Sequence, residues 1–370
     1  MLITNTQLHP APAAGPCLPL RVTSLDGGLD ALSAGELLRK TFPHRPFIVD
    51  PWLRRGETAL IWAASGVGKT MLSLSLAMAM ATGGNVGPWR SGQPCRVLYI
   101  DGEMHEEDVK DRLETLRDTG AVTLGDARLL ADNLVFVNRQ GQQADTVFFD
   151  LTSEEGRAAI LRAAEKLEAD VVILDNFTTL SEGLEDENAA TSFKKIQSFL
   201  LSTKQRNLTT ILIHHARKDG NALRGSASIE VTFESVLELR KPKLPRMDAA
   251  SFVPVFGKFR QKRSEALLPR QWSLTETGWQ IDDEIVQEGD SAAVLCVRSR
   301  KFVSQQEIAQ HLGLSKGTVS KQLAAAKLAK QITDKEISEC FDDARQLRDH
   351  PGDDEMETEE TGGQADEADY

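Results

Sequence analysis

The sequence has little cysteine. Its four thiols, Cys17, Cys95, Cys296 and Cys340, are scattered over 370 residues with no CxxC pair and no Cys/His spacing. That excludes a disulfide scaffold and a zinc site, and it suits the reducing cytoplasm. No apolar run approaches the ~20 residues that span a bilayer, so no membrane partner is expected. The first residues, MLITNTQLHPAPAAGP, lack a basic stretch followed by an apolar one, which argues against a secretory signal. Internal repeats are also absent. Hydrophobic residues nonetheless make up 41% and charged residues 26% of the chain, ordinary values for a globular protein, so wholesale disorder is excluded. At roughly 100–200 residues per domain, the length allows two or three domains.

Positive charge is in deficit overall but not everywhere. The net charge is −12, yet nine acids and no Lys or Arg fall in residues 351–370. The acidity is largely a tail, and it does not argue against a nucleic-acid partner. Residues 239–263 carry eight Lys/Arg against one acid, and residues 298–335 carry eight against two.

Short apolar runs alternate with amphipathic stretches between residues 36 and 285. Strands are expected at 57–63, 96–101, 133–137, 170–175, 208–214, 232–239 and 252–259, and helices at 69–82, 105–119, 154–168 and 190–206. Uniformly apolar strands such as VVILD and TTILI suit a parallel sheet covered on both faces, and the alternation predicts an α/β fold. The division expected is a flexible arm (1–35), an α/β domain (36–285), a small helical domain (286–340) and a disordered acidic tail (341–370). The polar segment 178–190 reads as an exposed loop.

The strongest local signal is ALIWAASGVGKTMLSLSLAMAMA. An apolar strand runs into Ala63-Ala64-Ser65-Gly66-Val67-Gly68-Lys69-Thr70 and then into a helix, which is a phosphate-binding loop in its proper setting. Residues Ala64 to Met71, that is Ala64, Ser65, Gly66, Val67, Gly68, Lys69, Thr70 and Met71, are the expected ATP contacts. Lys69 reaches the β- and γ-phosphates, the Thr70 hydroxyl holds Mg²⁺, and the helix N-terminus adds a favourable dipole. The first Gly of the GxxxxGK[ST] pattern is replaced by Ala63.

Such a loop needs a carboxylate on a neighbouring strand for the metal. Asp175 closes VVILD and is expected at the carboxyl end of a buried strand, where ligands bind in open α/β sheets. Hydrolysis also needs a base for water. Glu103, just past LYID, is the favoured base; Asp101, in the same turn, is the alternative, and it could equally cap the following helix. His214 and His215 end the strand LTTILI and are expected to sense the γ-phosphate, with a slight preference for His215.

The ordered set SGVGKT, LYIDGE, VVILDN, ILIHHARK and LRGSAS resembles the RecA-like P-loop ATPases of the AAA group, and within them the plasmid RepA-type and DnaB-type hexameric helicases, over about residues 40–285. The resemblance implies a RecA-like twisted, mostly parallel sheet flanked by helices. It also implies a homo-oligomeric ring, a hexamer, in which a neighbouring subunit supplies positive charge to each γ-phosphate. Lys258-Phe259-Arg260 resembles the KxR motif of the DnaB-type proteins, and Arg224 in LRGSAS resembles the arginine of RepA-type proteins. Alternate residues of a strand share a face, so Lys258 and Arg260 could both reach one phosphate.

Residues 304–327, SQQEIAQHLGLSKGTVSKQLAAAK, read as a helix-turn-helix within a small all-α or winged domain. Ser304 and Glu307 form a capping box, Gly313 breaks the first helix, Leu314 plugs the core and Ser315 caps the second helix. Lys316, Thr318, Ser320 and Lys321 then face outward to contact duplex DNA, mainly at phosphates. A helical hairpin for oligomerisation is the alternative reading. The acidic tail reads as solvated disorder; the functional alternative is that it mimics DNA and competes for the basic surfaces, or docks a replication partner. Two functions follow: an ATP-driven motor on single-stranded DNA, a RepA-like replicative helicase of a mobile element, or a DNA-bound regulatory or maintenance ATPase that does not unwind.

Overall fold

Strands that are apolar on both faces need cover on both faces, and the main sheet receives it. The computed structural model describes residues 24–25, 29–181, 190–216, 227–242, 250–262, 264–286, 291–328 and 331–349. Nine strands form one sheet: β1 (Thr58–Ala63), β2 (Val97–Asp101), β3 (Leu134–Asn138), β4 (Val171–Asp175), β5 (Thr209–His215), β6 (Ser235–Arg240), β7 (Ala250–Phe259), β8 (Arg270–Thr275) and β9 (Gly278–Ile285). Their order is β9-β8-β7-β6-β1-β5-β4-β2-β3. From β3 to β6 every pairing is parallel, and β7, β8 and β9 continue the sheet antiparallel.

Four helices cover this sheet: α1 (Lys69–Thr82), α2 (Glu106–Asp118), α3 (Glu154–Lys166) and α4 (Ala190–Gln205). Strand alternation sorts the core into two layers. Tyr99, Ile173 and Ile213 pack on the side of α1 and α2. Leu98, Leu174 and Leu212 pack against Ile160 of α3 and Phe199 of α4. In α1 every residue except Thr70 is buried, as expected of a helix apolar all round. This is the RecA-like α/β architecture expected from the sequence.

The hairpin β8–β9 was not expected, although Trp272, Leu274, Trp279 and Ile281 carry the strand alternation. It buries Trp272, which packs 4.7 Å from Trp89 between ring centroids. Trp279 donates from Nε1 to Ser75 Oγ on α1 at 3.0 Å, so the hairpin braces the helix that follows the phosphate loop.

Residues 1–45 form one unit and residues 46–370 another. In the first, Ser24–Leu25 pairs antiparallel with Leu29–Asp30. A helix, Ala34–Arg39, starts at Ser33 with a complete capping box to Glu36 and buries none of its residues.

Four C-terminal helices, α5 (Ala292–Arg298), α6 (Gln305–Leu312), α7 (Lys316–Leu328) and α8 (Asp334–Asp349), close a core of their own. Val294, Ile308, Val319 and Leu323 lie at its centre. Four expectations are corrected here. Leu314 does not plug this core; it is 37% exposed, because the turn after Gly313 points it outward while Val319 and Leu323 fill the space. The capping box at Ser304 is half formed: Ser304 Oγ accepts from Glu307 N, but Glu307 Oε2 accepts from Val303 N and pairs with Arg348. The segment after α7 is a helix rather than a wing. That helix runs to Asp349, beyond the boundary at 340: Ile337, Cys340 and Phe341 present an apolar face to the cluster, and Ala344 is buried as well. Residues 351–370 lie outside the described residues. Among those described, no helix is long and apolar enough to cross a membrane.

Candidate active site

The site starts where β1 ends. Ala63 is the last residue of that strand and pairs with His215 of β5. Its place in the strand explains why the first position of the phosphate loop tolerates a side chain. The two later glycines do not: Gly66 and Gly68 have φ of 75° and 116°. A Cβ on Gly68 would also lie 2.8 Å from Ala250 Cβ. Gly68 opens α1 without any side-chain cap, so the first amides of a 14-residue helix are left for a ligand. Ser65 and Gly66 are exposed, Ala64, Gly68 and Thr70 are half-buried, and Val67 and Met71 anchor the loop in the core.

Lys69 lies inside this curl. Its ammonium donates to the carbonyls of Ala63 and Ala64, both at 3.1 Å. Burial lowers its pKa, and the carboxylates of Asp175 and Glu103 pull it back up.

Asp175 ends β4 as expected, but β4 is not the immediate neighbour of β1. The histidine strand β5 lies between them. Asp175 is buried, and burial pushes its pKa up to about 6 against the opposing hydrogen bond from Tyr99. Tyr99 Oη donates to Asp175 Oδ2 at 2.6 Å. Among the described residues no group of three His, Cys, Asp or Glu side chains is arranged to hold a metal ion. Magnesium does not need one. It takes one or two protein oxygens and completes its shell with phosphate oxygens and water. Thr70 and Asp175 fit that requirement: both offer hard oxygen donors, and Asp175 is a buried carboxylate whose charge acts on Lys69.

The turn after β2 separates the two carboxylates proposed as base. Asp101 is 1% exposed, and its Oδ1 accepts from the amides of Glu103 and Met104 at 2.8 and 2.7 Å. It fixes the turn. Burial raises its pKa. Glu103 is exposed at the mouth of the site. Its Oε2 accepts from Asn176 Nδ2 at 2.6 Å and lies 4.0 Å from His215 Nε2. Asn176 is itself oriented, since its Oδ1 accepts from Thr179 N at 3.2 Å.

Strand alternation also separates the two histidines. His215 faces the side of α1 and meets Glu103. His214 turns to the other face, is buried, and packs on Phe177 with ring centroids 4.5 Å apart. Lys69, Thr70, Glu103, Asp175 and His215 are thus brought together at one edge, and His214 is not.

Lys258 and Arg260 lie elsewhere. Phe259 pairs with Ser235, which pairs with Ala59 near the start of β1. Four strand residues then separate that level from Ala63, about 13 Å at the usual rise. Lys258 Nζ is bound to the carbonyls of Glu230 and Val231 at 2.7 and 2.9 Å, and burial and Arg260 lower its pKa. Arg260 is exposed. Lys258 and Arg260 therefore do not serve the phosphate loop of their own chain. Arg224 lies outside the described residues. On α7, Lys316, Ser320 and Lys321 are exposed, while Thr318 is half-buried with its hydroxyl 2.9 Å from Ser315 Oγ.

Three site residues escaped the sequence reading: Tyr99, Ser73 and Asn176. Tyr99 had a visible signal. A tyrosine in an otherwise aliphatic strand needs a partner for its hydroxyl. Ser73 and Asn176 had none, because their roles depend on which strands become neighbours.

A family described as AAA domain matches residues 27–221. No curated protein sequence matches the chain. Among solved structures the chain is similar to a KaiC-like protein from the hyperthermophilic archaeon Pyrococcus horikoshii, at 15% identity and a TM-score of 0.46 over 64% of this chain and 98% of that one.

Proposed function

Because the chain belongs to the AAA domain family and is a P-loop ATPase, we propose that it is an ATP-driven motor on DNA, a RepA-like replicative helicase of a plasmid, phage or other mobile element. In this reading it acts as a homohexameric ring on single-stranded DNA. The loop amides and Lys69 bind the triphosphate. Thr70 and Asp175 would hold Mg²⁺, which would supply positive charge beside the phosphate oxygens. Glu103 takes a proton from the attacking water, and Asn176 holds its carboxylate in place. His215, 4.0 Å from Glu103, reports the state of the site to the loop that follows β5.

The observation that carries the ring is the position of Arg260. It is exposed at the amino ends of the parallel strands, remote from its own phosphate loop. A second subunit's site is the place where its charge can act, as a preorganised contribution to the developing phosphate charge. Lys316 and Lys321 support a second contact, to duplex phosphates, at the helix-turn-helix. The acidic residues after 350 are suited to a basic replication partner.

The test is hydrolysis by the full chain with and without single-stranded DNA, alongside particle sizing. Strong stimulation together with strand displacement is expected. Stimulation by duplex alone favours the regulatory ATPase instead. Arg260→Ala should keep nucleotide binding and lose about 10³-fold or more in turnover. Mixing it with Glu103→Gln subunits should restore activity, since each mixed interface can join an intact Glu103 to an intact Arg260. Absence of rescue in mixed particles overturns the shared site.

A further inference from the structure

Tyr99 stands in the middle of β2, fully buried on the α1 side of the sheet. A phenol so placed needs partners for its hydroxyl. It has two, Asp175 Oδ2 at 2.6 Å and Ser73 Oγ at 2.8 Å. Ser73 belongs to the second turn of α1, and its Oγ also donates to the Thr70 carbonyl at 3.1 Å. An unbroken chain therefore runs from Thr70 through Ser73 and Tyr99 to Asp175. Its ends are the two residues that meet the metal in the reading above. The ring of Tyr99 is fixed as well, packed 5.2 Å from Phe136 between centroids.

A carboxylate on a short side chain can rotate, and among the described residues Asp175 has no ion pair within 4.0 Å to stop it. The phenol takes Oδ2 and leaves Oδ1 out of this bond. The hydroxyl is placed as a donor by the 2.6 Å contact with Asp175 Oδ2. The single phenol proton goes to the carboxylate. Ser73 divides its own proton between the Tyr99 oxygen and the Thr70 carbonyl.

We propose that Tyr99 is a positioning residue for metal binding: it orients the Asp175 carboxylate and, through Ser73, ties that carboxylate to the first turn of α1. The inference rests on the ATP–Mg²⁺ reading of the site. Outer partners of metal ligands typically contribute about 10–100-fold in metal affinity.

The test uses the full chain with saturating ADP and follows the thermal unfolding midpoint as Mg²⁺ is titrated. The readout is the Mg²⁺ concentration that gives half of the metal-dependent rise. Tyr99→Phe removes one oxygen and should raise that concentration about 10–100-fold, while the rise produced by ADP without metal persists. Ser73→Ala leaves the Tyr99–Asp175 bond intact and should shift it in the same direction by less. A residue that only filled the core would lower every midpoint and leave the Mg²⁺ dependence where it was; that result for Tyr99→Phe overturns the inference. If Tyr99→Phe does not fold, an unchanged Mg²⁺ dependence in Ser73→Ala overturns it instead. A wild-type chain with no Mg²⁺-dependent rise would overturn the ATP–Mg²⁺ reading itself, a different result from a responsive wild type and an unresponsive variant.

Discussion

The carboxyl edge of the parallel sheet and the C-terminal helices handle charge in opposite ways. At the edge, Asp101 and Asp175 are buried and Glu103 stands beside them, with the single ammonium of Lys69 acting on Asp175 and Glu103. Burial moves the pKa values of Lys69, Asp101 and Asp175 toward neutrality. In the helical module the charges meet partners: Lys327 with Asp334 at 2.7 Å and Arg348 with Glu307 at 2.8 Å at the surface, and Arg298 with Glu336 at 3.1 Å in a half-buried position. The exposed pairs among them contribute little, because solvent screens them and the long side chains lose freedom on pairing. The edge is left electrostatically incomplete, which stores affinity for a polyanion and its cation. Among its described residues the module offers solvated cations, Lys316 and Lys321, to a partner.

The largest effect should come from the edge. Lys69→Ala removes the one cation inside the phosphate loop, and hydrolysis should fall by about 10³-fold or more. A steady-state assay checks this. Normal turnover in that variant would break the contrast, because the site would then not depend on its buried charge.

The next effect has the opposite sign for stability. The pKa of Asp175 rises from its ordinary 3.8 to about 6 in the folded chain. Between those two values the unfolded chain releases its proton and the folded chain keeps it. Stability from this group is therefore full below pH 3.8 and lost as pH rises through about 6. At pH 8 the ionised Asp175 costs the nucleotide-free protein on the order of 3 kcal/mol. Asp175→Asn, which can still accept from Tyr99, should raise the unfolding midpoint at pH 8, and the gain should shrink toward pH 4. It should also remove the Mg²⁺-dependent rise with nucleotide. Denaturation at the two pH values checks the sign; a loss of stability at pH 8 would mean that Asp175 is structural.

The same contrast explains what the sequence made legible. Runs such as VVILD and TTILI read directly as buried strands, and α1 is found where the apolar pattern after Lys69 predicts it, at Lys69–Thr82. Asp175 could be assigned to a strand end from its own neighbours. That β5 separates it from β1 could not, because strand order is a property of the sheet. Asn176 and Ser73 act across strand boundaries and left no local trace. The pair His214-His215 was ambiguous as letters; only the facing of β5 separates the residue against Phe177 from the one near Glu103. In the helical module, Ile308, Val319 and Leu323 form the core. Leu314 was misread because a residue after a helix-ending glycine can point either way until the following helix is placed.

The smallest effect belongs to the module. Lys316 and Lys321 are exposed on α7, so neither pays a desolvation cost in the free protein, and each should act on duplex DNA through phosphates alone. Replacing both by Ala should weaken duplex binding severalfold at moderate salt. It should flatten the plot of log affinity against log salt by about 2, since each neutralised phosphate contributes a slope of roughly 0.9. The loss should be the same for different duplex sequences, because ammonium groups at phosphates do not read bases. Fluorescence anisotropy at several salt concentrations measures both quantities. A sequence-dependent loss would sharpen the comparison by assigning base contacts to this helix. An unchanged slope would break it, because the exposed cations of α7 would then face no nucleic acid, and the helical module would be left as a device for holding subunits together.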